Sequence, residues 1–425
     1  IYLSLFMNRF FYSLALYLGI PFAIFRLIIR DTHDSSWKRK LKNQFGIVQK
    51  VSGSVIWIHC VSVGEFNAAK PLIDKLFSQY PNYKMVVSTT TITGYIAVKK
   101  YYKTRVIHCF FPLDIMPVVK SFVSKINPKI CLLLETEIWP NLIQLLKEKG
   151  IPVALINARL SEKSFQRYDK YSAKLVKASL NKLSLICAQN SFSTERFLSL
   201  GADQEKIINT GSLKFDSNDS VNPEVTDNLN AIVGNRKILV FASTRDGEEK
   251  QIITSYIKHS DKVSALLIII PRHPERFNEV FKIAKASGLK VMKRSSAEKC
   301  PEDTEILVGD SMGEMMSYYS ICDLAFIGGS LSNNGCQNML EAASLSKPII
   351  FGPSVFNFEE ISKKLLESDA AIQVANADEL MTTLTELLSN DERRVELGNN
   401  AKKTYDLNRG AVKKTHEALT PLMND

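Results

Sequence analysis

The stretch "SVIWIHCVSVGEFNAAKPLID", residues 54–74, decides the fold. Its first half is an apolar, β-rich run that reads as a buried strand, and its second half reads as a helix. At the junction sits an acid, Glu65. Ligands of open α/β sheets bind outside the carboxyl ends of the strands. Glu65 is therefore either a catalytic group or a helix-starting acid, a role worth only a few tenths to about 1 kcal/mol.

The same order repeats outward from this stretch. Apolar runs such as "KMVVSTT", "RVIHCFF", "KICLLLE", "PVALINA" and "LSLICAQN" alternate with helix-like segments. Alternation of this kind predicts a parallel sheet wrapped by helices. It lapses in "DSNDSVNPEVTDNLNAIVGN" (216–235), a polar stretch that reads as a linker, and resumes with "KILVFAST", "ALLIIIPRH", "LAFIGGS" and "KPIIFGPS". The expected class is α/β, with two doubly wound, Rossmann-like domains facing a cleft. The expected division is an N-terminal anchor over 1–30, a first α/β domain over 31–216, a linker over 217–235 and a second α/β domain over 236–425. A chain of 425 residues suits two domains of about 150 to 200 residues each.

Composition narrows the partners. Lys and Arg number 54 against 44 Asp and Glu, a formal charge of +10, which suggests an anionic partner. The basic residues are dispersed rather than gathered on an aromatic-rich face, which argues against nucleic acid. The seven cysteines form no CxxC pair and most lie in apolar runs, so they read as reduced core thiols. The run "FFYSLALYLGIPFAIF" (10–25) is flanked by Arg9 and Arg26 and followed by "WKRKLK". It lacks a cleavage site and reads as an uncleaved anchor that spans a membrane or lies in its interface, with the body on the cytoplasmic side.

Short polar or Gly-rich turns stand at nearly every strand end of the second half. "FASTRDGEE" carries Ser243, Thr244 and Arg245, "IIIPRHPERF" carries Arg272 and His273, "GDSMGEM" carries Gly313 and Glu314, and "FIGGSLSNNGCQNMLEAA" carries Gly328, Gly329 and Ser330. Glycine turns let backbone N–H groups approach an anion and Arg272 adds a charged donor, so the set reads as a nucleotide phosphate site. Neither GxGxxG nor GxxxxGK[ST] follows a strand, which weighs against dinucleotide dehydrogenases and P-loop enzymes. No HExxH or paired CxxC occurs, so neither metal nor cofactor is expected. In the first half the candidates are Glu65 and the pair Glu135 and Glu137 in "LLLETEIWPN". Alternate strand residues share a face, so both acids of the pair are expected to point into the cleft.

The strings "SVGEFNAAKPLI", "STTTITGY", "FFPLDIMPVVKSF", "ETEIWPNLI", "NARLSEKSFQRY", "TGSLKFD", "PRHPERF", "GDSMGEM" and "FNFEEI", in this order, resemble the 3-deoxy-D-manno-octulosonic acid (Kdo) transferases of lipopolysaccharide assembly. The resemblance covers nearly the whole chain. It implies an inverting glycosyltransferase of GT-B architecture that moves Kdo from CMP-Kdo to the lipid A precursor lipid IVA, without a metal, at the cytoplasmic face of the inner membrane. It further implies that Glu65 is the general base, that Glu135 and Lys214 stabilise the transition state, and that Pro271, Arg272, Gly313, Glu314, Met315, Asn338, Met339, Leu340 and Glu341 bind CMP. One stretch departs from the family pattern. Where the family reads GGHNPLE this chain has "GCQNMLE", and Gln337 can replace the hydrogen bonds of the missing histidine but not its charge. The residue pattern alone leaves two alternatives open: a GT-B transferase using another nucleotide sugar, such as a UDP-sugar, on a lipid, and a membrane-anchored nucleotide-sugar-binding protein without catalysis.

Overall fold

The computed structural model describes residues 8–31, 36–216, 220–259, 263–296 and 299–423. Residues 1–7 of the expected anchor and 217–219 of the expected linker lie outside them. The chain divides into two compact units, Ile1–Ser217 with Arg409–Asp425, and Asn218–Asn408.

The first unit holds seven strands: β1 (Val55–His59), β2 (Lys84–Thr89), β3 (Ile107–Phe110), β4 (Ile130–Leu134), β5 (Val153–Ala158), β6 (Leu185–Ala188) and β7 (Ile207–Asn209). They form one sheet of order β3-β2-β1-β4-β5-β6-β7, every pair parallel. Alternation of side chains along β1 feeds two cores. Trp57 packs with Phe111, Phe122 and Leu133 on one face of the sheet, and Ile56 and Ile58 pack with Phe66, Leu72 and Leu132 on the other. Strands buried on both faces need apolar residues throughout, which is why the runs read as continuous rather than alternating. Side-chain caps start the helices that follow: Ser62 accepts from Glu65 N, Thr91 from Gly94 N, Ser161 from Ser164 N and Asn190 from Ser193 N.

The second unit holds β8 (Ile238–Thr244), β9 (Leu266–Pro271), β10 (Val291–Lys293), β11 (Ile306–Val308), β12 (Leu324–Ile327), β13 (Ile349–Phe351) and β14 (Ala371–Gln373). Their order is β10-β11-β9-β8-β12-β13-β14, again parallel throughout.

Two boundaries differ from the division read in the sequence. The polar stretch 217–235 contains a helix, Pro223–Val233, whose Leu229, Ile232 and Val233 are buried. Pro223 at its first turn and Asn222 as its cap start that helix, so Pro and Asn here are helix signals and not linker signals. The last helix, Ala411–Met423, belongs to the first unit, where Ala411, Leu419 and Met423 join the core of Phe66 and Leu72. Asp216 fixes it by accepting Gly410 N at 2.7 Å and Val412 N at 2.6 Å. Asp216→Ala strands both N–H groups and lowers stability by about 1–3 kcal/mol, measured as a lower urea midpoint with earlier proteolysis of the last helix.

The N-terminal helix runs Arg9–Asp31 and contains Pro21. Among the described residues no helix is long and apolar enough to cross a membrane. The spanning form of the expected anchor is therefore not supported. The uninterrupted apolar run of 16 residues is about 24 Å long, short of the roughly 30 Å hydrocarbon core. One side of the helix is instead tied to the first unit. Tyr12 donates to Asp114 Oδ2 at 2.9 Å, and Asn141 Nδ2 donates to Ser13 Oγ at 3.0 Å. Asp114 is buried and also accepts Asn141 N and Leu142 N in the first turn of helix Pro140–Glu148.

Candidate active site

The strand order reverses between β1 and β4 in the first sheet and between β8 and β12 in the second. Such a reversal splays the helices apart and leaves a crevice at the strand tips.

Glu65 follows β1 and Glu135 follows β4, so both stand at the reversal of the first sheet. Glu65 does start its helix: Oε2 accepts Val61 N at 2.7 Å, and its own N–H reaches Ser62 Oγ at 3.5 Å. The helix-start contacts leave Glu65 Oε1 uncommitted to the Val61 bond. Burial, and then the nearby charge of Glu135, push the Glu65 carboxyl up to about 8, against the pull of the Val61 N–H and of Lys214. Lys214 lies in the short turn Leu213–Asp216, with Nζ 3.6 Å from Glu135 Oε1.

The pair Glu135 and Glu137 does not act as one face. Glu135 sits beyond the end of β4 with φ +54°, outside the alternation of the strand. A left-handed non-glycine residue costs about 1–3 kcal/mol and concentrates at functional sites. Glu137 is engaged elsewhere. Its Oε2 accepts Trp139 Nε1 at 2.7 Å and stands 3.6 Å from Nε2 of the fully buried His59. Two residues absent from the sequence reading support this arrangement. His59 stacks on Phe111 at 3.8 Å and contacts Ser88 Oγ at 3.0 Å. Asn157, also left-handed at φ +49°, accepts Leu213 N at 3.0 Å and so holds the turn that carries Lys214.

In the second unit Pro271 ends β9 and is buried, while Arg272 is exposed and its N–H donates to Thr244 O at 3.0 Å. His273 contacts the guanidinium of Arg245. Gly313 takes φ +87° in the turn before helix Met315–Ile321, a conformation that suits glycine. Glu314 accepts Ser311 Oγ at 2.6 Å and lies 3.5 Å from Arg294 Nε. Asn338 accepts Leu340 N at 3.1 Å and donates to Glu341 Oε1 at 2.9 Å. Met339 and Leu340 are core residues, 0% and 1% exposed, so their side chains do not face a ligand. Gln337 Nε2 donates to Gly335 O at 3.1 Å.

The Gly328–Ser330 turn is a correction. Its N–H groups are expected from the sequence to receive a phosphate, but Gly329 N and Leu331 N donate to Glu248, at 2.6 and 2.8 Å. Ser330 Oγ accepts Gly352 N at 2.8 Å. An acid of the chain itself occupies the position, and the sequence gives no sign that this acid is buried.

With the geometry in place, comparison with known proteins decides the family. A family model described as 3-deoxy-D-manno-octulosonic-acid transferase (kdotransferase) matches residues 38–217, and one for glycosyl transferases group 1 matches 285–404. A 3-deoxy-D-manno-octulosonic acid transferase of Haemophilus influenzae is 36% identical over 98% of this chain and 99% of its own length. This chain belongs to the Kdo transferase family. Another such transferase, from Bordetella pertussis, is 30% identical over 86% of each chain. The crystal structure of a glycosyltransferase from Rickettsia africae covers 88% of this chain and 99% of its own, at 13% identity and a TM-score of 0.57, a likeness of fold. In this Kdo transferase Glu65, Glu135 and Lys214 fall within the first matched segment, and Gly313 and Glu341 within the second.

Proposed function

We propose that this family member transfers Kdo from CMP-Kdo to the lipid A precursor lipid IVA in lipopolysaccharide core biosynthesis. Glu65 is the general base. It takes the proton of an acceptor sugar hydroxyl as that oxygen attacks the anomeric carbon of Kdo, and CMP leaves with the bonding pair. One displacement inverts configuration, so a single base is enough. The observation that carries this reading is the half-buried carboxyl of Glu65, pushed up to about 8 at the reversal of the first sheet. A raised pKa makes the carboxylate a stronger base near neutral pH. Lys214, paired with Glu135, supplies positive charge near the developing alkoxide.

The second unit binds the donor. Arg272 and Arg245 meet the phosphate of CMP, and Gly313, Glu314, Met315, Asn338 and Glu341 line the nucleoside. The N-terminal helix lies in the interface of the inner membrane on its cytoplasmic face. Phe10, Leu14, Leu18 and Phe22, spaced four apart, are 69%, 45%, 74% and 69% exposed, while Tyr12 ties another side to the first unit. An amphipathic helix of this kind binds a bilayer without crossing it.

The test is incubation of the full chain with CMP-Kdo and tetraacylated lipid A precursor, read by mass spectrometry. A mass gain of one or more Kdo units is the expected result. No gain from folded protein, or a gain only with a UDP-sugar, overturns the reading.

A further inference from the structure

We infer that Glu248 is a positioning residue for the donor: its carboxylate fills the hollow between the turns after β8 and β12 and holds both in the shape that presents Arg245 and Arg272 to the nucleotide phosphate. The inference rests on the assignment of donor binding to the second unit.

Glu248 is fully buried. Oε2 accepts Gly329 N at 2.6 Å and Arg245 N at 2.8 Å, and Oε1 accepts Leu331 N at 2.8 Å. Two of these donors belong to the turn after β12 and one to the turn after β8. Those strands are neighbours in the sheet, with Ala242 beside Ile327, and the sheet order reverses between them. The turns touch backbone to backbone: a Cβ on Gly328 would lie 2.6 Å from Thr244 Cα and 2.7 Å from Ser243 O. Ser243 is itself left-handed, at φ +56°. The adjoining Glu249 is equally buried but serves another tie, accepting Thr244 Oγ1 at 2.8 Å and Arg276 Nη1 at 2.7 Å.

An exposed acid suffices to start a helix, whereas removing a carboxylate from water costs several kcal/mol unless it is well bonded. Burial pushes the Glu248 carboxyl up, and the three N–H groups pull it back. The consequence for the donor is twofold. Gly328 N, Gly329 N and Leu331 N are already taken, and a second anion at that place is repelled. The phosphate is therefore directed to the side chains of Arg245 and Arg272, whose backbones are fixed, Arg245 by Glu248 and Arg272 through Thr244 O.

The experiment uses the full chain, CMP titrated calorimetrically, and steady-state kinetics with CMP-Kdo and lipid acceptor. In Glu248→Gln an amide NH₂ faces a backbone N–H, so the CMP Kd and the donor KM rise by about tenfold or more while kcat and the acceptor KM stay in place. In Glu248→Ala the same loss is partly reversed by added formate, which refills the hollow. Glu248→Gln with wild-type CMP affinity overturns the inference, as does a loss in Glu248→Ala that follows falling thermal stability and ignores formate. Wild-type protein that binds no CMP overturns the donor assignment beneath it.

Discussion

Glu65→Gln lowers kcat for transfer by about 10²–10⁴-fold and makes the protein more stable than wild type in alkaline solution. The two effects share one cause. The Gln side chain keeps an oxygen to accept Val61 N, so the start of helix Val63–Gln79 survives, but it cannot take a proton. In the wild type the carboxyl titrates at about 8 when folded and at its ordinary value of 4.5 when exposed. Between those values the folded chain binds a proton that the unfolded chain has released. Stability therefore falls as pH rises from about 4.5 through 8 and stays reduced above. Gln has no charge to bury and escapes that loss. Melting temperatures of the two proteins at pH 5 and pH 9 test this: a near match at the lower pH, and the variant higher at the upper. A variant less stable at both values would mean that Glu65 serves only as a cap.

Glu135→Gln and Lys214→Met both impair transfer, and they move the pH dependence in opposite directions. Glu135 is the charge that most raises the Glu65 carboxyl after burial itself, and Lys214 lowers it. Removing the negative neighbour favours ionised Glu65 and shifts the acid limb of kcat/KM down by roughly one unit. Removing the positive neighbour shifts the limb up by a similar amount. Structural damage alone would not give opposite signs. Shifts in the same direction, or none, would show that the three groups do not share one field.

The strand tips were legible in the sequence because both sheets are parallel: apolar runs mark the strands, and the residue after each run is necessarily at the ligand edge. Glu65, Glu135 and Arg272 were placed beyond strand ends this way. The readings that failed concern burial and return of the chain, which local patterns do not encode. Asp216 bonds Gly410 across 194 positions, so nothing near either residue announces that the last helix rejoins the first unit. Nothing around "GEE" at 247–249 marks its acids as interior, yet Glu248 and Glu249 are both fully buried. The glycine turn was read as open to phosphate because its internal acceptor lies 81 positions upstream of Gly329. The apolar N-terminal run read as an anchor that spans the membrane or lies in its interface; its spanning form is not supported, and Tyr12 and Ser13 find polar partners around Asp114 and Asn141.

The pH dependence of kcat/KM for CMP-Kdo in the wild-type enzyme bears most directly on Glu65 as the base. An acid limb with an inflection near pH 8, absent from the residual activity of Glu65→Gln, is the predicted result. A rate that is flat across that range, or that inflects near the ordinary carboxylate value, would contradict it.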